Sequence, residues 1–268
     1  MANTMITILK ILGVGYVLLT VLLYLLQDKF IFFPQKGINH RQAKFSQYET
    51  VIERDGIKLH GWFLQKEISR EKPLIVYFGG NAEEVSGNLM LLDYFDTDSF
   101  LFMNYRGFGE SEGKPAESHL SEDALFILDY LIQEKKIAAS DIVLMGRSLG
   151  SGVATYVASR RKIRGLVLVT PFDSLTNVAR KHYPIFPIGL LLKHKFASVD
   201  LAPDIKAPAL FLMGNQDNII PNQSSENLYN HWGGTKTLVT VDGADHNNIE
   251  QFQQYWEAVN QFLKSFHS

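Results

Sequence analysis

Gly146-Arg147-Ser148-Leu149-Gly150 follows an apolar run, Ile142-Val143-Leu144-Met145, and precedes a helix-like stretch over residues 151–161. Few folds accommodate that order. A serine between a buried strand and a helix sits on a sharp turn, and its flanking glycines are needed because a side chain there would meet the neighbouring strand and helix. Such a turn holds the Ser148 hydroxyl out at the top of a sheet with a helix N-terminus beneath it. Free backbone N–H groups and the positive end of the helix dipole then face the place where an oxyanion would form. The five residues alone are a weak signal; the strand before and the helix after turn them into a nucleophile elbow.

The rest of the chain repeats the alternation. Residues 48–54 and 58–64 read as two strands joined at Asp55-Gly56, a hairpin signal. Further strands are expected at 74–78, 99–103, 165–169, 209–213 and 236–241. Helical patterns lie between or after them at 83–95, 121–135, 224–232 and 247–266. Strands alternating with helices predict an α/β fold, with a mostly parallel central sheet covered by helices on both faces.

A serine hydroxyl is a poor nucleophile at neutral pH and needs a base, which in turn needs an orienting acid. Asp217 follows the strand at 209–213, and His246 follows the strand at 236–241. The order Ser148, Asp217, His246 is the one expected for a nucleophile elbow of this kind. Asp173 also follows a strand and is the alternative acid, although its position before a helix suits an N-cap. Asp245 is adjacent to His246, and consecutive side chains rarely turn toward one another. His60-Gly61-Trp62 lies inside the early hairpin, so it is not read as an oxyanion motif.

Five segments carry a resemblance: Tyr77-Phe78-Gly79-Gly80-Asn81-Ala82, residues 104–111 (Asn-Tyr-Arg-Gly-Phe-Gly-Glu-Ser), 146–150, 214–221, and Asp242-Gly243-Ala244-Asp245-His246. Together they resemble the serine hydrolases of the alpha/beta-hydrolase superfamily, close to the membrane-tethered abhydrolase-domain group of esterases, lipases and depalmitoylases. The resemblance runs from about Tyr48 onward. It implies an alpha/beta-hydrolase fold, with the backbone N–H groups of Asn81 and Leu149 as oxyanion donors. Where the group usually reads His-Gly-Asn, this chain has Gly79 in place of the histidine, which removes a side chain that normally buttresses the loop. Arg106, in the tight 105–109 loop, is expected to form an internal salt bridge. No metal or organic cofactor is implied.

The 268 residues, 46% hydrophobic, suffice for one catalytic domain. A net charge of −2 gives no electrostatic case for nucleic acid, and the absence of cysteine excludes disulfides and thiol catalysis. Residues 5–26 are apolar apart from Lys10. As a helix they would reach about 33 Å, enough to cross a hydrocarbon core of about 30 Å. No small-residue cleavage site follows, so a single-pass membrane anchor is expected over a signal peptide. Lys29, Lys36, Arg41 and Lys44 follow the run, which places the catalytic domain on the cytoplasmic side. The expected division is an anchor at 1–28, a linker at 29–47 and a catalytic domain at 48–268 that folds without the helix. The resemblance implies that residues 170–207 form a small cap interrupted by Pro184 and Pro187, whose apolar side chains pack on the body, line an acyl pocket or touch the bilayer. The expected activity is cleavage of an ester or thioester of an apolar acyl group, from a small-molecule or lipid substrate. A serine peptidase of the same fold and a non-catalytic membrane scaffold are the alternatives.

Overall fold

A computed structural model of the protein describes residues 2–37, 43–66, 68–69 and 71–266. Arg41, one of the cations used to orient the helix, lies outside them. Eight strands form one sheet in the order β1-β2-β4-β3-β5-β6-β7-β8. They are β1 (Glu49–Arg54), β2 (Ile57–Leu64), β3 (Leu74–Phe78), β4 (Ser99–Met103), β5 (Ile142–Arg147), β6 (Gly165–Val169), β7 (Ala209–Gly214) and β8 (Lys236–Val241). The β1–β2 and β2–β4 pairings are antiparallel and the other five are parallel. This is the alpha/beta-hydrolase fold.

Every residue of β3, β4 and β6 is buried. Their unbroken apolar runs follow from that, since a strand covered on both faces has no polar side. Leu74, Val76 and Phe78 enter one core layer with Leu144 and Leu168, whereas Ile75 and Tyr77 enter the other with Val143 and Val167. Over the first layer lie α2 (Glu117–Gln133) and α3 (Leu149–Ala158), after the long α1 (Ala2–Ile31). Leu120, Ala124, Ile127, Leu128 and Leu131 give α2 its buried stripe. Between β6 and β7 lie three short helices, α4 (Leu175–His182), α5 (Ile188–Leu191) and α6 (Ser198–Leu201). After β7 come α7 (Asn222–His231) and then α8 (Gln253–Lys264), whose Tyr255, Val259 and Leu263 pack into the second layer.

Several boundaries differ from the sequence reading, each for a local reason. The stretch read as a helix over 83–95 is a 3-10 segment, Val85–Tyr94, entered from Glu84, whose carboxylate accepts from the Ser86 N–H. The helix after the elbow begins at Leu149 and ends at Ala158, so Arg160 and Arg161 lie beyond it. Arg161 instead pairs with Asp129. The apolar helix runs on to Ile31, past the boundary expected at 28, and Ile31 and Phe32 are buried in the first core layer. Ile31 and Phe32 therefore pack against the body, while the Phe33 side chain is exposed.

Arg106 meets Asp123 through two parallel bonds of 2.6 and 2.7 Å, with both side chains almost fully enclosed. Arg54 adds a third bond to the same carboxylate. Removing one partner of such a pair strands the other charge in a low-dielectric site. Asp123→Ala is accordingly expected to cost about 3–5 kcal/mol in denaturant unfolding, and a loss under about 1 kcal/mol would contradict it.

Candidate active site

The parallel strands all end on one edge of the sheet, where α/β folds place their ligands. At the end of β5, Ser148 has φ 51° and ψ −119°, a conformation that side chains other than glycine rarely adopt. Two close approaches force it. A Cβ on Gly146 would lie 2.3 Å from the Gly150 carbonyl oxygen, and one on Gly150 would lie 2.0 Å from that of Phe78. The Ser148 N–H donates to the Val169 carbonyl at 2.9 Å, which pins the turn to β6.

Three side chains from three strand ends meet here. Ser148 Oγ lies 3.0 Å from His246 Nε2, and His246 Nδ1 lies 2.8 Å from Asp217 Oδ2. An ionised carboxylate only accepts, so Asp217 fixes the proton on Nδ1 and leaves Nε2 free to accept from the serine. The other Asp217 oxygen accepts from the N–H groups of Ile219 and Ile220, each at 2.8 Å, which holds the carboxylate in place. Ser148 and His246 are buried, and the Asp217 side chain is almost fully so.

Asp173 lies apart from this chain of contacts. Its carboxylate accepts from the Ser174 N–H, the Ser224 hydroxyl and the side-chain amides of Asn177 and Asn227. The N-cap expected of Asp173 is made by Ser174, whose side chain accepts from the Asn177 N–H. Asp245 turns to the Asn247 N–H. Among the described residues no group of three or more His, Asp and Glu gathers as a metal site.

The segment Gly79-Gly80-Asn81 passes over the elbow: a Cβ on Gly80 would lie 3.8 Å from that of Ser148. Leu149 opens α3, so no carbonyl one turn back takes its N–H. The Asn81 peptide is held by residues at the end of α1. Its carbonyl accepts from the Phe33 N–H at 2.9 Å, and its side-chain amide donates to the Ile31 carbonyl at 2.8 Å.

Glu83 and Arg147 complete the frame, and sequence reasoning passed over both. Glu83 Oε2 accepts from the Gly80 N–H at 2.7 Å, and Oε1 accepts from the Tyr77 hydroxyl at 2.8 Å. A side chain on Gly79 would start 3.3 Å from the Glu83 carboxyl carbon. Glu83 thus lies against the bare Gly79 and holds the loop through the Gly80 N–H. Arg147 lies 3.6 Å from Glu83 and donates to the His246 carbonyl at 3.0 Å, so it ties the histidine loop to the Gly80 loop. Burial works against the Arg147 charge but is outweighed by its anionic neighbours, including Glu83 and Glu250, and its pKa is raised. Burial first, and Glu83 second, push the Tyr77 hydroxyl well above the usual range, keeping it a donor. The signal that pointed to Glu83 was the Gly79 substitution itself.

The strain at Ser148 has a measurable consequence. A non-glycine residue in such a conformation costs about 1–3 kcal/mol, part of which is offset by the larger unfolded-state freedom of glycine. Ser148→Gly should therefore unfold about 1–2 kcal/mol later than Ser148→Ala in denaturant, and equal stabilities would contradict the strain.

Comparison with known proteins agrees with this fold. A family model described as "Serine aminopeptidase, S33" matches residues 69–199, and one described as "Acetyl xylan esterase (AXE1)" matches 193–266. An uncharacterised protein of Mycobacterium tuberculosis is 31% identical, over 88% of this chain and 87% of its own. The alpha/beta hydrolase domain-containing protein WAV2 of Arabidopsis thaliana is 26% identical, over 91% of this chain and 90% of its own. An uncharacterised membrane protein of Saccharomyces cerevisiae is 29% identical, over 90% of each chain. The esterase Pf2001 of Pyrococcus furiosus superposes with a TM-score of 0.65 at 19% identity, over 89% of this chain and all of the other. Fold and sequence relatives together make this chain a member of the alpha/beta-hydrolase superfamily.

Proposed function

We propose that the protein is a membrane-anchored serine hydrolase that cleaves a carboxylic ester or thioester of an apolar acyl group. The observation that carries this reading is the unbroken series Ser148, His246, Asp217 at 3.0 and 2.8 Å, assembled at the ends of three strands. In the reaction, Ser148 Oγ attacks the acyl carbonyl as His246 Nε2 takes its proton. Negative charge moves to the carbonyl oxygen, where the N–H groups of Asn81 and Leu149 receive it. The intermediate collapses as His246 gives the proton to the leaving group, an alcohol or thiol. Water then repeats the steps on the acyl-enzyme, releasing the acid and restoring Ser148. Asp217 holds the imidazole in the tautomer this sequence needs.

The acetyl xylan esterase model and the esterase named above support ester cleavage. Anchoring is supported by α1, a 30-residue helix long and apolar enough to cross a bilayer, and by the yeast relative described as a membrane protein. The proposed division keeps residues 1–28 as anchor, 29–47 as connection and 48–268 as catalytic domain, with the cap at 170–207. Lys29, Lys36 and Lys44 favour a cytoplasmic catalytic domain. Peptide cleavage is the second reading, favoured by the aminopeptidase description of the model over 69–199.

The test is kinetic, on p-nitrophenyl butyrate and a matched peptide anilide. Ser148→Ala should lower kcat by about 10⁶ and Asp217→Asn by about 10⁴. Asp173→Asn should act through stability and leave kcat per folded molecule near wild type. Near-wild-type turnover by Ser148→Ala, or a larger kcat loss from Asp173→Asn than from Asp217→Asn, would overturn the assignment. Faster turnover of the anilide would select the peptidase.

A further inference from the structure

The stretch Tyr183-Pro184-Ile185-Phe186-Pro187-Ile188-Gly189-Leu190-Leu191-Leu192 has no charged residue. It is bracketed by Arg180-Lys181-His182 on one side and Lys193-His194-Lys195 on the other. Two of its apolar side chains face outward, Ile185 at 70% exposed and Leu190 at 87%. This tip of the cap does not lie back on the catalytic body. It runs along α1 instead. The Tyr16 hydroxyl donates to the Ile185 carbonyl at 2.8 Å, and the Tyr16 and Phe186 rings stack at 5.6 Å. Nearer the body, Gln27 donates to the Leu191 carbonyl and accepts from the Lys193 N–H.

Those contacts fix how deep the tip reaches. From Leu26, the end of the apolar run, to Tyr16 is about 15 Å of helix, roughly half of a hydrocarbon core of about 30 Å. Irregular backbone survives at such a depth only if its polar groups are satisfied internally. Here six of the eight N–H groups, those of Tyr183, Phe186, Ile188, Leu190, Leu191 and Leu192, are donated within the segment or to Ala179, and those of Ile185 and Gly189 are not. Pro184 and Pro187 have none to donate. The flanking cations lie where lipid phosphates would meet them.

Between this tip and α1 is an apolar cavity of about 300 Å³, in the size range of small-ligand sites. Leu23, Tyr24 and Phe30 of α1 line one side, and Val178, Ala179 and Ile188 of the cap line the other. Two of its lining residues bond to the loops around the Ser148–His246–Asp217 series. Ile31 accepts from the Asn81 side chain. His182 meets the carbonyl of Ile219, whose N–H donates to Asp217.

We infer that the cap tip is embedded in the same leaflet as α1 and that the cavity between them receives the acyl chain of a bilayer-resident substrate, with the anchor helix forming one wall of the acyl site. This rests on the membrane-anchored hydrolase reading and names where its acyl group lies. An apolar chain passing from lipid into an apolar cavity never crosses water, and its ester or thioester carbonyl is delivered between the Asn81 and Asp217 loops.

The chain has no cysteine, so single-cysteine reporters are clean. Full-length protein in phosphatidylcholine vesicles would carry an environment-sensitive fluorophore at Leu190→Cys, at Leu18→Cys on α1 as the bilayer reference, or at Glu257→Cys on α8 as the aqueous reference. Quenching by spin-labelled lipid at Leu190 comparable to Leu18, and absent at Glu257, is the expected result. An aqueous signal at Leu190 with a buried one at Leu18 would overturn the embedded tip while leaving the anchor standing. Aqueous signals at both would overturn the anchor and the inference with it. Shielding of Leu190 from water without lipid quenching would place another protein surface there and also overturn it.

The cavity is tested without turnover, in vesicles containing phosphatidylcholine with a photoactivatable diazirine on one acyl chain. Crosslinks are expected on peptides containing Val178–Ile188 and Leu23–Phe30. They should fall at least about tenfold when Ala179→Trp or Ile188→Trp fills the cavity, whichever variant retains the wild-type circular dichroism. Crosslinks confined to the outer face of α1, or unchanged in the filled variants, would remove the acyl site whatever the esterase assays show.

Discussion

The site depends on one close approach: Gly150 packed against the carbonyls of Phe78 and Gly79, leaving no room for a side chain. That contact lets α3 begin immediately under the end of β5, and it obliges Ser148 to take φ 51°. The cost is borne by a buried parallel sheet whose β5 is paired on both sides and whose N–H at 148 is held by Val169. A less rigid frame would relax the serine and withdraw its hydroxyl from His246. Strain of this kind persists only where the surroundings over-determine it.

A second layer of constraint ties the loops to one another. Arg147 and Glu83 link the histidine loop, the elbow and the Gly80 segment through charged contacts in a largely buried place. The end of α1 holds the Asn81 peptide from the other side. On the proposed chemistry, a misplacement of about 1 Å among such groups costs on the order of 10²-fold in rate, so these contacts position the reacting groups without touching substrate. On the proposed reading the same contacts make α1 part of the catalytic frame. A chain cut near Gln35 would lose Ile31 and Phe32 from the core, together with both bonds to Asn81.

Much of this was legible in the sequence because it is written locally. Continuous apolar runs marked the buried strands, and Gly146 and Gly150 marked the turn. Asp217 and His246 stood out by following strands in the right order, and the structure brings His246 beside Ser148 with Asp217 on its far side. What escaped was long-range or compensatory. Arg147 matters through Glu83 and His246, partners distant in sequence, so no spacing flags it, while Glu83 bonds locally to Gly80 and Tyr77 in a stretch that read as a plain helix start. The 3-10 segment at Val85–Tyr94 looked helical because its apolar residues carry no record of whether bonds run three or four residues back. Ile31 and Phe32 fell in the stretch read as a linker, since side chains that pack on a core look locally like those that meet a membrane surface.

The central claim is that this geometry makes Ser148 a nucleophile, which a scaffold retaining the fold would not require. Reaction of the full-length protein with a fluorophosphonate, followed by mass spectrometry of its peptides, tests that most directly. The predicted result is a single phosphonyl adduct on Ser148, abolished in His246→Ala. No adduct on folded protein, or an adduct at Ser148 that forms equally fast without His246, would contradict the account.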